Sequence, residues 1–598
     1  MSYFKLSTVA VVASLMLGCV EDGSDGLNSL VNQSQLEIGN EFCRNGGLQV
    51  DSGVDMDANG ILDSGEIEST EYLCNEPITQ LKANDILEST ANPWFVESEW
   101  EVEQAQQDIA SIVKAKGRAK NIILFVGDGM GISTLTAARI LDGQNKGLPG
   151  EENRLSFEEM PFAGLAKTYN VDAQTPDSAG TMTAMISGVK TDVGVIGVAE
   201  GVVRGDCKSV SGNELVSGLE LAEIAGKSTG IISTARITHA TPAATYAKSA
   251  DRNWEDNSDM PASAIEEGCE DIASQLINFE TNLEARFTGL NIDGIEVVMG
   301  GGRRHFLPKD PEFNSPDAVS SVEGDRTDNR NLIEEWQSLY PQGHYVYDQA
   351  GFNALDSEST EHLFALFNES HMQYEADREN DIAGEPSLTE MTSKGIDILD
   401  NNKNGFFLVV EAGRIDHGHH AGNAYNALND TIELSEAVKV AMEKTNPEET
   451  LIIVTADHSH VMTIAGYPKR GNPILGKVVS VGETEAALAA DELPYTTLGY
   501  TNGRGFKDLG VETDADAGYD YDAVTGRVDL TLIDTLQPGF HQESLVPLSS
   551  ETHAGEDVAV YAQGPGAHLV NGTNEQHLIF HIMDFAGNLV NKAETAVN

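Results

Sequence analysis

Three apolar runs, each ending in carboxylates or imidazoles, constrain the chain more than any other feature. The first is "NIILFV", followed by "GDGMG" with Asp128. The second, "GFFLVVEAGRIDHGHH", carries Glu411, Asp416, His417, His419 and His420. The third, "TLIIVTADHSH", carries Asp457, His458 and His460. Each reads as a buried strand, and from Lys120 onward such runs alternate with helical patterns. The expected fold is therefore α/β, a three-layer sandwich around a central, largely parallel (mixed) sheet. In such sheets ligands bind outside the carboxyl ends of the strands. Carboxylates and imidazoles gathered on that edge repel or stay unpaired unless they share cations. A mixed nitrogen and oxygen set suits zinc, and magnesium fits where only oxygens converge.

The stretch "QTPDSAGTMTAMISGVK" places Ser178 at an expected helix start, where the first backbone N–H groups lack partners. A helix cap is the plain reading. A nucleophile at a positive helix terminus, where phosphate is also stabilised, is the sharper one. No G-x-S-x-G elbow surrounds the serine, so its activating group must come from elsewhere in the chain.

The 598 residues suffice for a large core and an extra module. With 37 basic against 95 acidic residues, the formal charge is −58, which argues against a nucleic-acid reader because no basic surface can release phosphate counterions. The start, "MSYFKLSTVAVVASLMLGC", has a lysine, an apolar stretch too short to span a bilayer, and a small-residue stop. It resembles a bacterial lipoprotein signal with Cys19 as lipidation site, although Met16 stands where leucine is usual. The resemblance implies an exported bacterial lipoprotein, periplasmic or held at the cell surface by its lipid, with a soluble periplasmic or secreted form as the alternative. Removing Cys19 leaves four cysteines, and the simplest pairing is Cys43–Cys74 and Cys207–Cys269.

Between signal and main domain, Asp55, Asp57, Asn59, Gly60, Asp63 and Glu66 match calcium-loop positions 1, 3, 5, 6, 9 and 12, with Ile61 offering its carbonyl. The flank "NGGLQVDSGV" has period-two apolar residues unlike a helix–loop–helix hand. An EF-like loop in a small disulfide-closed module is expected, with an ion-free acidic turn as the alternative. It resembles calcium-loop modules of bacterial surface proteins.

From about Lys120 to about Leu589 the chain resembles alkaline phosphatases. The stretches that carry the resemblance are "VGDGMG", "TPDSAGTMTA", "THATPAATYA", "DRNWEDN", "VEAGRIDHGHH", "VTADHSH", "GYPKRGNPI" and "ETHAGEDVAVYAQGP". The carboxyl-terminal ones look more like the animal-type enzymes. The resemblance implies Ser178 as the nucleophile that becomes phosphorylated. It gives one zinc to Asp416, His420 and His553, and a second to Asp128, Asp457 and His458. Magnesium falls to Asp128, Glu411 and Thr241, with His239 and His417 beside it. Arg252 becomes the fork that clamps the two non-transferred phosphate oxygens. A homodimer acting on small phosphate monoesters is implied. A related phosphodiesterase and a non-catalytic calcium-dependent surface protein are the rival readings.

The division expected is a signal over 1–18, the calcium-loop module over 19–94 and the phosphatase domain over 95–598, with an insertion at about 466–550. The run "EVEQAQQDIASIVKA" reads as an exposed helix leading into the main domain. His419 and His460 are expected to face hydrogen-bond partners. Animal-type relatives carry a further calcium site; Glu312 and Phe367 resemble its surroundings, but Asn368 replaces an acid there.

Overall fold

The computed structural model describes residues 29–38, 42–43, 45–57, 59–74, 118–287, 289–511, 519 and 521–597. The signal segment, Cys19 and the helix expected over "EVEQAQQDIASIVKA" lie outside the described residues. Two compact units form, residues 1–102 and 103–598.

In the first unit β1 (Ser29–Ile38), β2 (Asn45–Val54) and β3 (Ile67–Cys74) build an antiparallel sheet in that order. The period-two apolar residues thus form strands, and the acidic loop joins two strands rather than two helices. A Cβ at Gly53 would lie 1.9 Å from the Glu66 carbonyl oxygen, so the loop closes only over glycine. The Cys43–Cys74 disulfide ties the end of β3 to the entry of β2. A loop of that length loses unfolded-state entropy worth about 3–4 kcal/mol in the chain-entropy account.

The second unit is built on a ten-stranded sheet. Its strands are β4 (Asn121–Gly127), β5 (Phe162–Lys167), β6 (Ser228–Arg236), β7 (Val297–Gly301), β8 (His344–Val346), β9 (Leu363–Leu366), β10 (Phe406–Ala412) and β11 (Thr450–Ala456), with two more at Val558–Gln563 and Thr573–Glu575. From one edge the order runs Thr573–Glu575, β5, Val558–Gln563, β11, β4, β10, β6, β7, β9, β8. All pairings are parallel except those of Val558–Gln563, which runs antiparallel to both β11 and β5. Every residue of β4, β10 and β11 is buried, which is why these strands read as unbroken apolar runs instead of alternating ones.

Helices cover both faces. On one, Leu399 of the helix Leu388–Leu399 reaches Gly230 of β6 beside Leu408. On the other, Phe407 lies against Gly218, at the start of the helix Gly218–Ile224, and Ile122 against Gly587 of the helix Leu578–Gly587. Successive residues Phe407 and Leu408 therefore feed opposite layers, and the three-layer sandwich is present. Ser387 starts its helix with a capping box, its hydroxyl taking Glu390 N while the Glu390 carboxylate takes Ser387 N. A second disulfide, Cys207–Cys269, closes a small satellite core around Val198 and Trp254. Two strands of the expected insertion, Leu498–Gly503 and Ser544–Pro547, form a three-stranded sheet with Met462–Ile464, which lies just before it.

At the amino-terminal ends of β6 and β7 two buried acids meet around Thr229. Glu296 accepts Thr229 N (2.6 Å) and Glu223 accepts the Thr229 hydroxyl (2.9 Å). Burial pushes Glu296 up to about 8, aided by Asp293. A carboxyl whose folded pKa is raised favours folding while protonated, and that contribution is lost as pH climbs from the unfolded value through about 8. Glu296→Gln, which keeps an acceptor for Thr229 N, should gain on the wild type by several degrees in melting temperature between pH ~6 and ~10. Melting curves across that range check it; a constant gap refutes it.

Candidate metal centre

The three strands singled out above lie side by side as β11–β4–β10. Ala456 and Ala412 both pair with Gly127, so the strands end at one level. Asp457 and Asp128 follow at that level, and Glu411 comes one residue before it. Directly after β10 the helix Arg414–His420 carries Asp416 and His420 one turn apart on one face. After β11, the pair Ser459–His460 lies antiparallel to His553–Ala554, with His460 opposite His553. Gly129 has φ +70°, and a Cβ there would fall 2.3 Å from His460 Cδ2; the glycines of "GDGMG" thus let the imidazoles approach.

The residues expected to hold the first zinc come together. Asp416 Oδ1 lies 3.3 Å from His420 Nε2 and 3.4 Å from His553 Nε2, and the two imidazole nitrogens are 3.1 Å apart. The same holds for the second set, where His458 Nε2 is 3.3 Å from Asp128 Oδ1 and 3.3 Å from Asp457 Oδ2. Asp128, Glu411 and His239 offer ligand atoms within 4.8 Å of one another, which brings His239 into the magnesium position. Thr241 is fully buried and its hydroxyl has no hydrogen-bond partner. His417 packs 5.6 Å from His239, ring to ring, and contacts Arg414 through Nδ1 (3.0 Å).

These atoms suit cations. Both Asp128 oxygens, Glu411 Oε1 and His239 Nδ1 are buried without hydrogen-bond partners. Burial and the neighbouring Asp457, Asp416 and Glu411 carboxylates drive Asp128 well above the usual carboxylate range. Burial likewise pushes Glu411 up to about 7 against the hydrogen bond from Ser233. Burial with Arg252 and Arg236 pushes His239 down to about 3, leaving a neutral imidazole. Metal ions at these sites would repair each mismatch at once, stabilising the carboxylate anions and using the free imidazole lone pairs.

Ser178 opens the helix Ser178–Ser187 and is buried, its Oγ 3.2 Å from His458 Nε2. The cap is Asp177, whose Oδ1 accepts Gly180 N (3.1 Å). The cap is thus the acid before the serine, and the serine hydroxyl is turned to His458 instead of capping the helix. Asp177 also ties Arg252 to this helix, Oδ2 accepting Arg252 Nη1 (3.2 Å), while Arg252 Nη2 contacts His239 Nε2 (3.2 Å).

Several partners escaped sequence reasoning. Asp177 was legible only as a turn residue. Ser233 meets Glu411 as its register partner across β6 and β10. His371 packs against His417 with its ring tilted by 59° and the centroids 4.1 Å apart. Glu551 binds His460 Nδ1 (2.5 Å), and only its place two residues before His553 could have pointed to it. His419 lies between Thr134 Oγ1 and the Tyr500 hydroxyl, each at 2.9 Å, as a structural histidine should. Around the further calcium site weighed above from the resemblance, Glu312 is exposed and Asn368 reaches Asp381 (3.5 Å). There the buried Arg303 guanidinium, bonded to the Leu366 carbonyl (2.9 Å), neutralises Asp317 and Glu323.

Comparison with known proteins agrees with this geometry. A family model described as alkaline phosphatase matches residues 119–589, and one for a domain of unknown function (DUF7151) matches 28–74. The tissue-nonspecific isozyme of alkaline phosphatase from Felis catus is 43% identical over 491 residues, 81% of this chain and 87% of its own length. The Homo sapiens isozyme is 43% identical over 471 residues, 78% of this chain and 83% of its own. An alkaline phosphatase from Gadus morhua is 42% identical, covering 79% of this chain and 92% of its own. Among solved structures, the alkaline phosphatases of the Antarctic bacterium TAB5 and of Thermus thermophilus share the fold at TM-scores of 0.51 and 0.53 and identities of 21% and 22%. They cover 79% and 80% of this chain, and 99% and 95% of their own.

The same comparison overturns the expected localisation. The relatives at 43% identity are animal tissue-nonspecific isozymes, not bacterial lipoproteins of the periplasm or cell surface. That expectation rested on the first nineteen residues alone, where a short apolar run and a cysteine carry little information. Among the described residues no helix is long and apolar enough to cross a membrane. The family match over 119–589, the relatives at 43% identity and a helix that brings Ser178 to the clustered carboxylates and imidazoles lead to one conclusion: the chain belongs to the alkaline phosphatase family.

Proposed function

We propose that the chain hydrolyses phosphate monoesters through a phosphoserine at Ser178, using two zinc ions and one magnesium ion. The observation that carries this reading is the Ser178 hydroxyl 3.2 Å from His458 Nε2, inside the cluster of Asp128, Asp457 and His458. Asp416, His420 and His553 would hold one zinc, and Asp128, Asp457 and His458 the other. Asp128, Glu411 and Thr241 would hold magnesium, with His239 and His417 beside it. When bound, these ions supply Lewis acidity, which lowers the pKa of a nearby hydroxyl and neutralises charge on the leaving oxygen. That supplies the activation the missing elbow leaves open.

The chain's own groups do the rest. The helix Ser178–Ser187 aims its free amides and positive dipole end at an incoming dianion. Arg252, held by Asp177, offers a fork matched to two of the non-bridging oxygens of the phosphoryl group. A diester has two non-bridging oxygens sharing one negative charge, against three sharing two in a monoester dianion, which favours the monoester over the diesterase alternative. All ligand positions are filled, which disfavours a non-catalytic surface protein. Release of phosphate from a monoester, lost on chelation and regained with zinc and magnesium, tests the proposal.

In the first unit we propose calcium binding by Asp55, Asp57, Asn59, Ile61, Asp63 and Glu66. Support comes from a loop already wound around its acids: Asn59 N and Gly60 N bind Asp55 (3.1 and 2.9 Å), and Met56 N and Asp63 N bind Glu66 (2.7 and 3.0 Å). Glu66→Ala in the full chain should abolish calcium heat at millimolar ion and leave phosphatase turnover within about twofold, because all six ligands are local. A wild type that shows no calcium heat returns the loop to an acidic turn. We further read 19–94 as a module separate from the phosphatase domain over 95–598, and the active assembly as a homodimer.

A further inference from the structure

One buried acid links the two segments that would supply the first zinc position to the segment that carries His460. Glu551 is 1% exposed, and its carboxylate binds His460 Nδ1 (2.5 Å) and Val461 N (2.8 Å). Its backbone N donates to the His420 carbonyl (3.1 Å), and its own carbonyl accepts from His420 Nδ1 (2.6 Å). His460 passes the contact on, its Nε2 lying 2.7 Å from Asp416 Oδ1. Two residues further along is His553, opposite His460 in the short ladder.

These bonds fix protons at stated atoms. A carbonyl only accepts, so His420 must carry its proton on Nδ1, and His553 likewise donates Nδ1–H to the Pro176 carbonyl (2.8 Å). Both Nε2 lone pairs are then free and face Asp416. His460 differs, since both of its nitrogens are taken up by carboxylates, Nδ1 by Glu551 and Nε2 by Asp416. The group His420, His460 and Glu551, although its ligand atoms lie within 4.8 Å, is therefore a brace and not another ion site.

We propose that Glu551 is a positioning residue for the first zinc: it anchors His460 against Asp416 and sets the tautomer and depth of His420. The inference rests on the metal-dependent reading above. Outer partners of this kind hold ligands in orientation, and their loss typically costs 10–100-fold in metal affinity.

Zinc release to a chromophoric chelator tests it on the full chain, alongside zinc content and melting of the zinc-free protein. Glu551→Ala should release zinc about 10–100-fold faster than wild type. Glu551→Gln keeps an acceptor for Val461 N and a contact to His460, and should release it only several-fold faster. Should the alanine variant fail to fold, the glutamine variant decides alone. Wild-type release rates in the variants overturn the inference. So does a zinc position permanently lost, which would make Glu551 a ligand, or a defect confined to zinc-free melting, which would mark packing alone. A wild type that takes up no zinc is a separate result, overturning the reading on which the inference rests before any variant is compared.

Discussion

Ser178→Ala is expected to lower turnover by at least about 10³-fold while the protein keeps two zinc ions per chain. At the start of this helix the Ser178 hydroxyl is the group 3.2 Å from His458 Nε2, whereas the Asp177 carboxylate is held by Gly180 N and Arg252. Each proposed zinc retains three protein ligands without it. The helix itself should survive, because its cap is Asp177, bonded to Gly180 N, and alanine is the best helix former. Metal analysis and turnover on the same preparation separate the two roles. Near-wild-type turnover in a zinc-replete variant would remove Ser178 from the mechanism.

Asp457→Ala should fail differently, losing zinc as well as activity. Asp457 is fully buried, and its Oδ1 accepts both Gly129 N (3.0 Å) and His458 N (2.8 Å). Truncation removes a ligand and also orphans two buried amides, each at about 1–3 kcal/mol. The loop that aims Asp128 and the residue His458 then lose their common anchor. Zinc affinity should drop by more than about 100-fold, beyond what outer partners alone command. Retention of full zinc with normal affinity would show that Asp457 is not a ligand.

Comparing sequence with structure shows where local signals end. The runs ending at Gly127, Ala412 and Ala456 were legible because strands buried on both faces have to be apolar throughout, and the acids and imidazoles after them have few structural uses. Strand order was not legible: nothing local says that β11, β4 and β10 are neighbours, or that Ser233 faces Glu411 from 178 residues away. Asp177 shows the same limit, for its capping role is local while its hold on Arg252 depends on how the chain returns. Glu551 and His460 also needed the fold, because their meaning is a contact among three segments. The calcium-like loop was readable by spacing, and its glycine-rich, period-two flank correctly pointed to strands. The localisation reading failed for the opposite reason, since a short terminal motif and an even number of remaining cysteines say little about where a chain resides.

The central claim is that the clustered carboxylates and imidazoles hold metal ions for monoester hydrolysis. Phosphate release at alkaline pH should be measured on matched aryl mono- and diesters, before chelation, after it, and after zinc and magnesium are restored. The account predicts release from the monoester, far slower release from the diester, loss of both on chelation and recovery with the ions. Release that survives complete metal removal, a preference for the diester, or no release from the metal-loaded protein would contradict it.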